Sequence, residues 1–123
     1  MEHKNNTYNG ALGKESLIDL ETPKDFNGHI VIFIHGFMGF KDWGPWHLVQ
    51  KFFTDKGYGF CKFNTSHNGG TISNGIDFPD SEAFGRNTYS KEIADVQAVT
   101  KWIDHKIDAW NGHIIGHSKG GAI

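Results

Sequence analysis

The chain has 123 residues, of which 37% are hydrophobic and 21% charged, and its formal net charge is −2. This length is enough for one domain, or part of one, and is too short for two. Charges of both signs are mixed along the chain, so we expect no nucleic-acid partner. The single cysteine, Cys61, excludes an internal disulfide and a cysteine-based metal cluster.

Targeting and membrane segments are not expected. The first ten residues, MEHKNNTYNG, are polar and do not have the charged start and apolar core of a secretion signal. The longest apolar run, Ile30 to Ile34, is too short to cross a bilayer. These features predict a cytoplasmic protein that has no membrane partner.

The apolar pattern of the first half of the chain predicts strands and one helix. Ser16 to Glu21 alternates weakly and predicts an edge strand, whereas the continuous apolar run His29 to Ile34 predicts a strand buried on both faces. Apolar residues at helical spacing follow Pro45 and stop at Gly57, which predicts an amphipathic helix. Phe60 to Asn64 then predicts a short strand.

The second half contains the clearest helical pattern. Thr65 to Tyr89 is polar and rich in glycine and asparagine, which predicts a long loop. Ser90 is expected to cap a helix with one apolar stripe. Gly112 to His117 predicts a strand that leads directly into Ser118. The stripe of the helix consists of Ile93, Val96, Val99, Ile103 and Ile107.

Alternating strands and helices indicate an α/β fold with a mostly parallel sheet and flanking helices. In such sheets the active groups lie at the carboxyl ends of the strands. That edge should bring together His35-Gly36, the segment Asn64 to His67, and Ser118.

Gly116 to Gly120, GHSKG, matches G-x-S-x-G, a tight strand-to-helix turn that exposes a serine hydroxyl on strained backbone. Side chains at its two glycine positions would collide with the neighbouring strand and helix. We therefore predict that Ser118 is a nucleophile. The alternative is a helix-capping serine in a glycine-rich turn.

A second and independent signal follows the most apolar strand, in the segment IFIHGFMG, Ile32 to Gly39. A backbone N–H after such a strand can face an attacked carbonyl, and acyl transfer needs two donors aimed at the developing oxyanion. We predict that the N–H groups of Phe37 and Lys119 are these donors. Met38 and His35 are assigned to the substrate-binding wall, although for His35 a structural bond within its loop is the favoured role.

At these residues the chain resembles the α/β-hydrolase superfamily, in particular its esterase and serine-aminopeptidase-like members. They carry His-Gly-Phe after one central strand and Gly-His-Ser-x-Gly-Gly after the next but one. The resemblance covers Ile30 to Ile123 and implies an ester, thioester or amide substrate, a Ser–Asp/Glu–His triad and no cofactor. The chain departs from many relatives at Asn64 to Gly70, NTSHNGG, where they carry an aspartate and an Arg-Gly-His-Gly-like turn.

In that family the acid and the histidine follow the nucleophile, whereas five residues follow Ser118 here. We therefore interpret residues 1–123 as the amino-terminal part of a single α/β-hydrolase domain, nearly inactive by itself. His67 is the one substitute base to consider. The alternative function is a non-catalytic binding or regulatory module, and an exposed sheet edge would favour self-association.

Other polar and aromatic residues are given structural roles. His113 and His117 have the H-x-x-x-H spacing, but on a strand it does not converge, so no metal site is predicted. Asp80 and Glu82 are expected to be solvated loop charges, and His117 a packed residue of the turn. The tryptophans expected to serve in packing are Trp43, Trp46, Trp102 and Trp110.

Overall fold

A mixed five-stranded sheet organises the chain, and the computed structural model describes residues 1–123. The strands lie in the order β1-β2-β4-β3-β5. β3 is parallel to both β4 and β5, whereas β2 is antiparallel to β1 and to β4. The strands are β1 (Glu2–Asn9), β2 (Glu15–Glu21), β3 (His29–Ile34), β4 (Gly59–Phe63) and β5 (Asn111–Gly116).

Three helices accompany the sheet: α1 (Trp46–Thr54), α2 (Ser81–Gly85) and α3 (Tyr89–Lys106). Two short 3-10 turns, Ala11–Gly13 and Ser118–Ala122, complete the regular structure. No helix has both the length and the apolar character needed to span a membrane.

Side chains alternate along β3 and supply two separate cores, because successive residues of a strand face opposite sides of the sheet. On one side Ile30, Ile32 and Ile34 pack with Val99 and Ile103 of α3. The prediction that this strand is buried on both faces is confirmed.

The other side of the sheet packs against α1. There Val31 and Phe33 of β3 join Phe60 of β4 and Trp46 of α1 in a second core. Phe33 and Trp46 have ring centroids 4.5 Å apart. The helix predicted after Pro45 is therefore confirmed, and it covers the opposite face of the sheet from α3.

The amino-terminal strands differ from expectation. The segment Ser16 to Glu21 was expected at an edge, but β2 is paired on both sides and β1 forms the edge. The sequence of β1 has no apolar alternation, and Tyr8 is its only buried residue. The strand is therefore defined by its backbone pairing with β2. Two antiparallel strands thus extend the parallel group.

The segment after β4 is polar but buried, contrary to the open loop that its composition predicts. All residues from Asn64 to Gly70 are buried. Their polar groups have partners: the Tyr8 hydroxyl donates to the Asn64 carbonyl at 2.5 Å. The carboxylate of Asp95 accepts from the Ser66 N–H at 2.8 Å and from its hydroxyl at 3.0 Å. Paired polar groups can be buried at little cost, which explains the difference.

The buried stripe of α3 is rotated from the predicted one. Ile93 is 45% exposed, while Glu92 and Asp95 are buried together with Val99 and Ile103. Burial raises the pKa of the Asp95 carboxyl from its ordinary value, and its hydrogen bonds to Ala11 and Ser66 oppose that shift. The Asp95 carboxylate faces inward because Ala11 and Ser66 donate hydrogen bonds to it.

The start of α3 and the loop before it also differ in detail. Thr88, not Ser90, caps the helix, with its hydroxyl accepting from the Lys91 N–H at 3.3 Å. The predicted long loop contains α2, which Asp80 caps by accepting from the Ala83 N–H at 3.0 Å. Asp80 is therefore a capping residue as well as a surface charge.

A buried ionic cluster holds the loop after β3. The Lys41 ammonium lies 3.1 Å from Asp19 and 2.6 Å from Asp42, and Lys62 lies 3.1 Å from Asp42. The Lys41 N–H donates to the Asn64 side chain at 2.7 Å. The loop that begins at His35 is thereby fixed to β2 and β4 at its far end.

Candidate active site

Ser118 lies directly after β5, at the carboxyl ends of the parallel strands. Its side chain is exposed and its φ is +54°, in the left-handed region that non-glycine residues rarely adopt. Such a conformation costs about 1–3 kcal/mol and persists only when the surroundings enforce it. The serine hydroxyl makes no hydrogen bond within the chain.

The glycines around Ser118 permit close approach between three backbone segments. A Cβ at Gly116 would lie 2.5 Å from the carbonyl carbon of Gly120, and a Cβ at Gly120 would collide with the carbonyl oxygen of Ile34. A Cβ at Gly36 would lie 3.2 Å from the Cβ of Ser118. The turn is thus pressed against the end of β3, as the motif predicts.

The segment after β3 forms a tight turn beside Ser118. The Gly39 N–H donates to the Gly36 carbonyl at 2.9 Å, and Met38 occupies the third turn position with φ +56°. A positive φ at that position is typical of a type II turn and usually requires glycine. Phe37 and Met38 are 66% and 55% exposed. The turn therefore holds large apolar side chains outward on strained backbone.

The N–H groups of Phe37 and Lys119 have no acceptor within the chain, and neither do those of Gly36, Met38 and Ser118. Phe37 and Lys119 both line a cavity of about 110 Å³ that also contacts His35, Asn68 and Glu92. The structure thus brings the residues of the two predicted oxyanion donors to one cavity, together with His35 and Met38, whereas Ser118 is not among its lining residues.

His35 is buried and holds the turn by both of its ring nitrogens. Its Nε2 accepts from the Thr65 N–H at 3.1 Å, so Nδ1 carries the proton and donates to the Gly36 carbonyl at 2.9 Å. Burial lowers the pKa of the imidazole from its ordinary value of 6.5. The favoured structural role of His35 agrees with these bonds, and the residue also lines the site.

Acidification should destabilise the protein through His35. The unfolded chain takes up a proton near pH 6.5 more readily than the folded chain does, so the free energy of unfolding falls as pH drops below about 6.5. Urea unfolding between pH 7.5 and 5 would measure this. His35→Gln keeps a donor and an acceptor without titrating, so its pH dependence should be weaker; an unchanged dependence would contradict this assignment.

Lys119 is tied to the first turn of α3 by a largely buried ion pair. Its ammonium lies 2.6 Å from the Glu92 carboxylate, with side-chain exposures of 24% and 4%. The same Glu92 oxygen accepts from the Asn87 side chain at 2.8 Å, and the ammonium lies 5.1 Å from the Tyr89 ring centroid. The residue after Ser118 is thereby held by its side chain.

On the other side of the turn, a cavity of about 240 Å³ adjoins Ser118 and is lined largely by aromatic groups. Trp46 and His117 have ring centroids 4.9 Å apart, and Trp43 and His117 are stacked at 6.4 Å. Trp43 and Trp46 were expected to serve only in packing, but both line this cavity. His117 packs against them as predicted, although it remains exposed.

His67 is not brought to Ser118. Its Nδ1 lies 2.8 Å from the Ser66 hydroxyl, which itself donates to Asp95. The cavity beside its ring is lined by residues of α2 and its cap, including Asp80, and does not include Ser118. Burial lowers the pKa of this imidazole from 6.5. The structure therefore does not support His67 as a substitute base.

The sequence analysis did not identify Glu92 or the ionic cluster around Lys41. A signal for Glu92 was present, since Glu92, Asp95, Val99 and Ile103 share one helical face at spacings of three and four residues. Acidic residues on the apolar face of a helix predict that donors from other segments are buried beside them. No local pattern marks Lys41, because its partners lie on strands distant in sequence.

The strand order, the parallel group and the turn after β5 together give the chain the fold of the α/β hydrolases. No protein-family model and no curated protein matches the sequence.

Solved structures with this fold include Est1E from Butyrivibrio proteoclasticus with ferulic acid bound, at 24% identity and a TM-score of 0.68 over 93% of this chain and 43% of that one. An α/β serine hydrolase without a lid, from Xanthomonas campestris, has 17% identity and a TM-score of 0.72, over 98% and 52%. Dienelactone hydrolase from Anabaena variabilis has 15% identity and a TM-score of 0.74, over 98% and 53%. The chain thus spans about half the length of these structures.

Proposed function

We propose that residues 1–123 carry the nucleophile and the oxyanion donors of a serine hydrolase that cleaves an ester, thioester or amide bond. One observation carries the proposal: an exposed serine at φ +54° lies in a glycine-flanked turn against the end of β3. Two unpaired backbone N–H groups lie beside that turn, on Phe37 and Lys119.

In this mechanism the Ser118 hydroxyl attacks the carbonyl carbon of a small acyl substrate and gives its proton to a histidine base. The carbonyl oxygen becomes an oxyanion that accepts hydrogen bonds from the Phe37 and Lys119 N–H groups; losing one such donor typically costs about 3–4 kcal/mol of transition-state stabilisation. Collapse of the tetrahedral intermediate leaves an acyl-enzyme and expels the alcohol, thiol or amine, which takes its proton from the histidine. Water then releases the acid and restores the serine.

We further propose that the histidine base and its acid partner come from outside residues 1–123. The histidines in or near the site have other partners. His35 makes two hydrogen bonds within its own surroundings, His67 contacts the Ser66 hydroxyl, and His117 packs against Trp46. The chain covers only about half of the similar solved structures, which supports a base and an acid from outside these residues.

The second candidate function is a binding or regulatory module without catalysis. The observation that favours it is the Ser118 hydroxyl, which has no hydrogen-bond partner that could take its proton. In this case the cavities around the turn would bind a ligand without cleaving it.

Covalent labelling separates the two functions. The natural polypeptide is treated with a fluorophosphonate, which reacts with activated serines. The tryptic peptide of residues 107–119 is then analysed by mass spectrometry. We expect stoichiometric modification of Ser118 and none in Ser118→Ala. Residues 1–123 alone should react at least about 10³-fold more slowly, because the base is missing. An unmodified Ser118 in the natural polypeptide would favour the binding module.

The open edge of β5 is a proposed contact surface. β5 pairs with β3 on one side only, and Ile114 is 60% exposed on it. Unpaired strand edges readily accept another strand. We propose that a further strand pairs here, either from the same polypeptide or from a second copy.

A further inference from the structure

We infer that the cavity lined by Trp43, Trp46 and His117 binds a planar aromatic group of the substrate. This inference rests on the proposed function, since it concerns the specificity of the same site. It is carried by the composition, size and position of the cavity.

The walls of the cavity are flat rings. Trp43 and Trp46 have ring centroids 5.7 Å apart, and each also contacts His117. Aromatic rings prefer offset-stacked or edge-to-face neighbours at such distances. A planar unsaturated group can make these contacts on entering, whereas a puckered saturated ring of the same size cannot stack.

The position of the cavity relates it to the reaction. Ser118 and the turn residues Gly36 to Gly39 form part of its lining, so a group bound there lies beside the attacking hydroxyl. Trp43 is 47% exposed at this surface, next to the exposed Phe37 and Met38. Clustered exposed apolar side chains of this kind mark binding surfaces.

The cavity has room for about one ring and a short chain. Its volume of about 240 Å³ is larger than a cavity of about 150 Å³ that holds benzene. It is smaller than the range of about 300–1,000 Å³ typical of drug-sized ligands. A bulky polycyclic or long-chain acyl group would not be enclosed.

The test compares two esters with equal numbers of heavy atoms, methyl cinnamate and methyl 3-cyclohexylpropanoate, by calorimetric titration. The Ser118→Ala variant of the natural polypeptide is used, so binding is measured without turnover. We expect methyl cinnamate to bind about tenfold more tightly, and Trp43→Leu in the same background to abolish the preference. Trp102→Leu, on the other side of the sheet, is the matched control and should preserve it.

Equal affinity for the planar and saturated esters, or no measurable binding of either, would overturn the inference.

The outcome is independent of the labelling experiment. Ser118 labelling without an aromatic preference refutes the inference and leaves the hydrolase proposal intact. An aromatic preference without labelling supports the binding site and refutes catalysis.

Discussion

Replacing Gly120 with alanine should destabilise the protein by about 2–3 kcal/mol, because overpacking against fixed atoms is costly. The added Cβ would collide with the Ile34 carbonyl oxygen and lie 2.7 Å from that of His35. Both are backbone atoms at the end of β3, so no side-chain rotation can relieve the clash. Urea unfolding should show a midpoint lowered by about 1 M.

The same substitution should also impair Ser118. Relief of the clash requires the turn to move away from β3, and a displacement of about 1 Å at a reacting group can cost about 10²-fold in rate. Fluorophosphonate labelling of the folded variant measures this loss. Gly121→Ala is the matched control, since its nearest atom would be at an ordinary 3.5 Å. Equal stability of the two variants would show that the close packing is absent.

Replacing Lys119 with methionine should cost about 3 kcal/mol, because removing one partner of a buried pair leaves an uncompensated charge. The stranded group is the Glu92 carboxylate, which keeps only the Asn87 donor. The side-chain anchor of the residue after Ser118 is lost as well. We therefore expect slower Ser118 labelling in addition to lower stability.

Two comparisons isolate the ion pair. Lys51→Met breaks the pair with Asp55, whose side chains are 71% and 62% exposed, and should have little effect. Combining Lys119→Met with Glu92→Leu should recover most of the stability, because apolar groups often replace a buried pair without loss. If Lys119→Met is no more harmful than Lys51→Met, the pair does not stabilise the fold.

Local patterns in the sequence determined the central part of the fold. The continuous run His29 to Ile34 and the helical spacing after Pro45 report burial directly, because periodicity follows from the geometry of strands and helices. The G-x-S-x-G motif determined where the strained turn lies, since its glycines are required by contacts between neighbouring segments. These inferences need no knowledge of distant partners.

Tertiary structure alone decided the remaining features. β1 is defined by pairing with β2, and the polar segment after β4 is buried because Tyr8 and Asp95 satisfy it. The aromatic cavity arises where Trp43 and Trp46, after β3, meet His117, after β5. Such contacts join residues far apart in sequence, and their energies depend on geometry that no local pattern encodes.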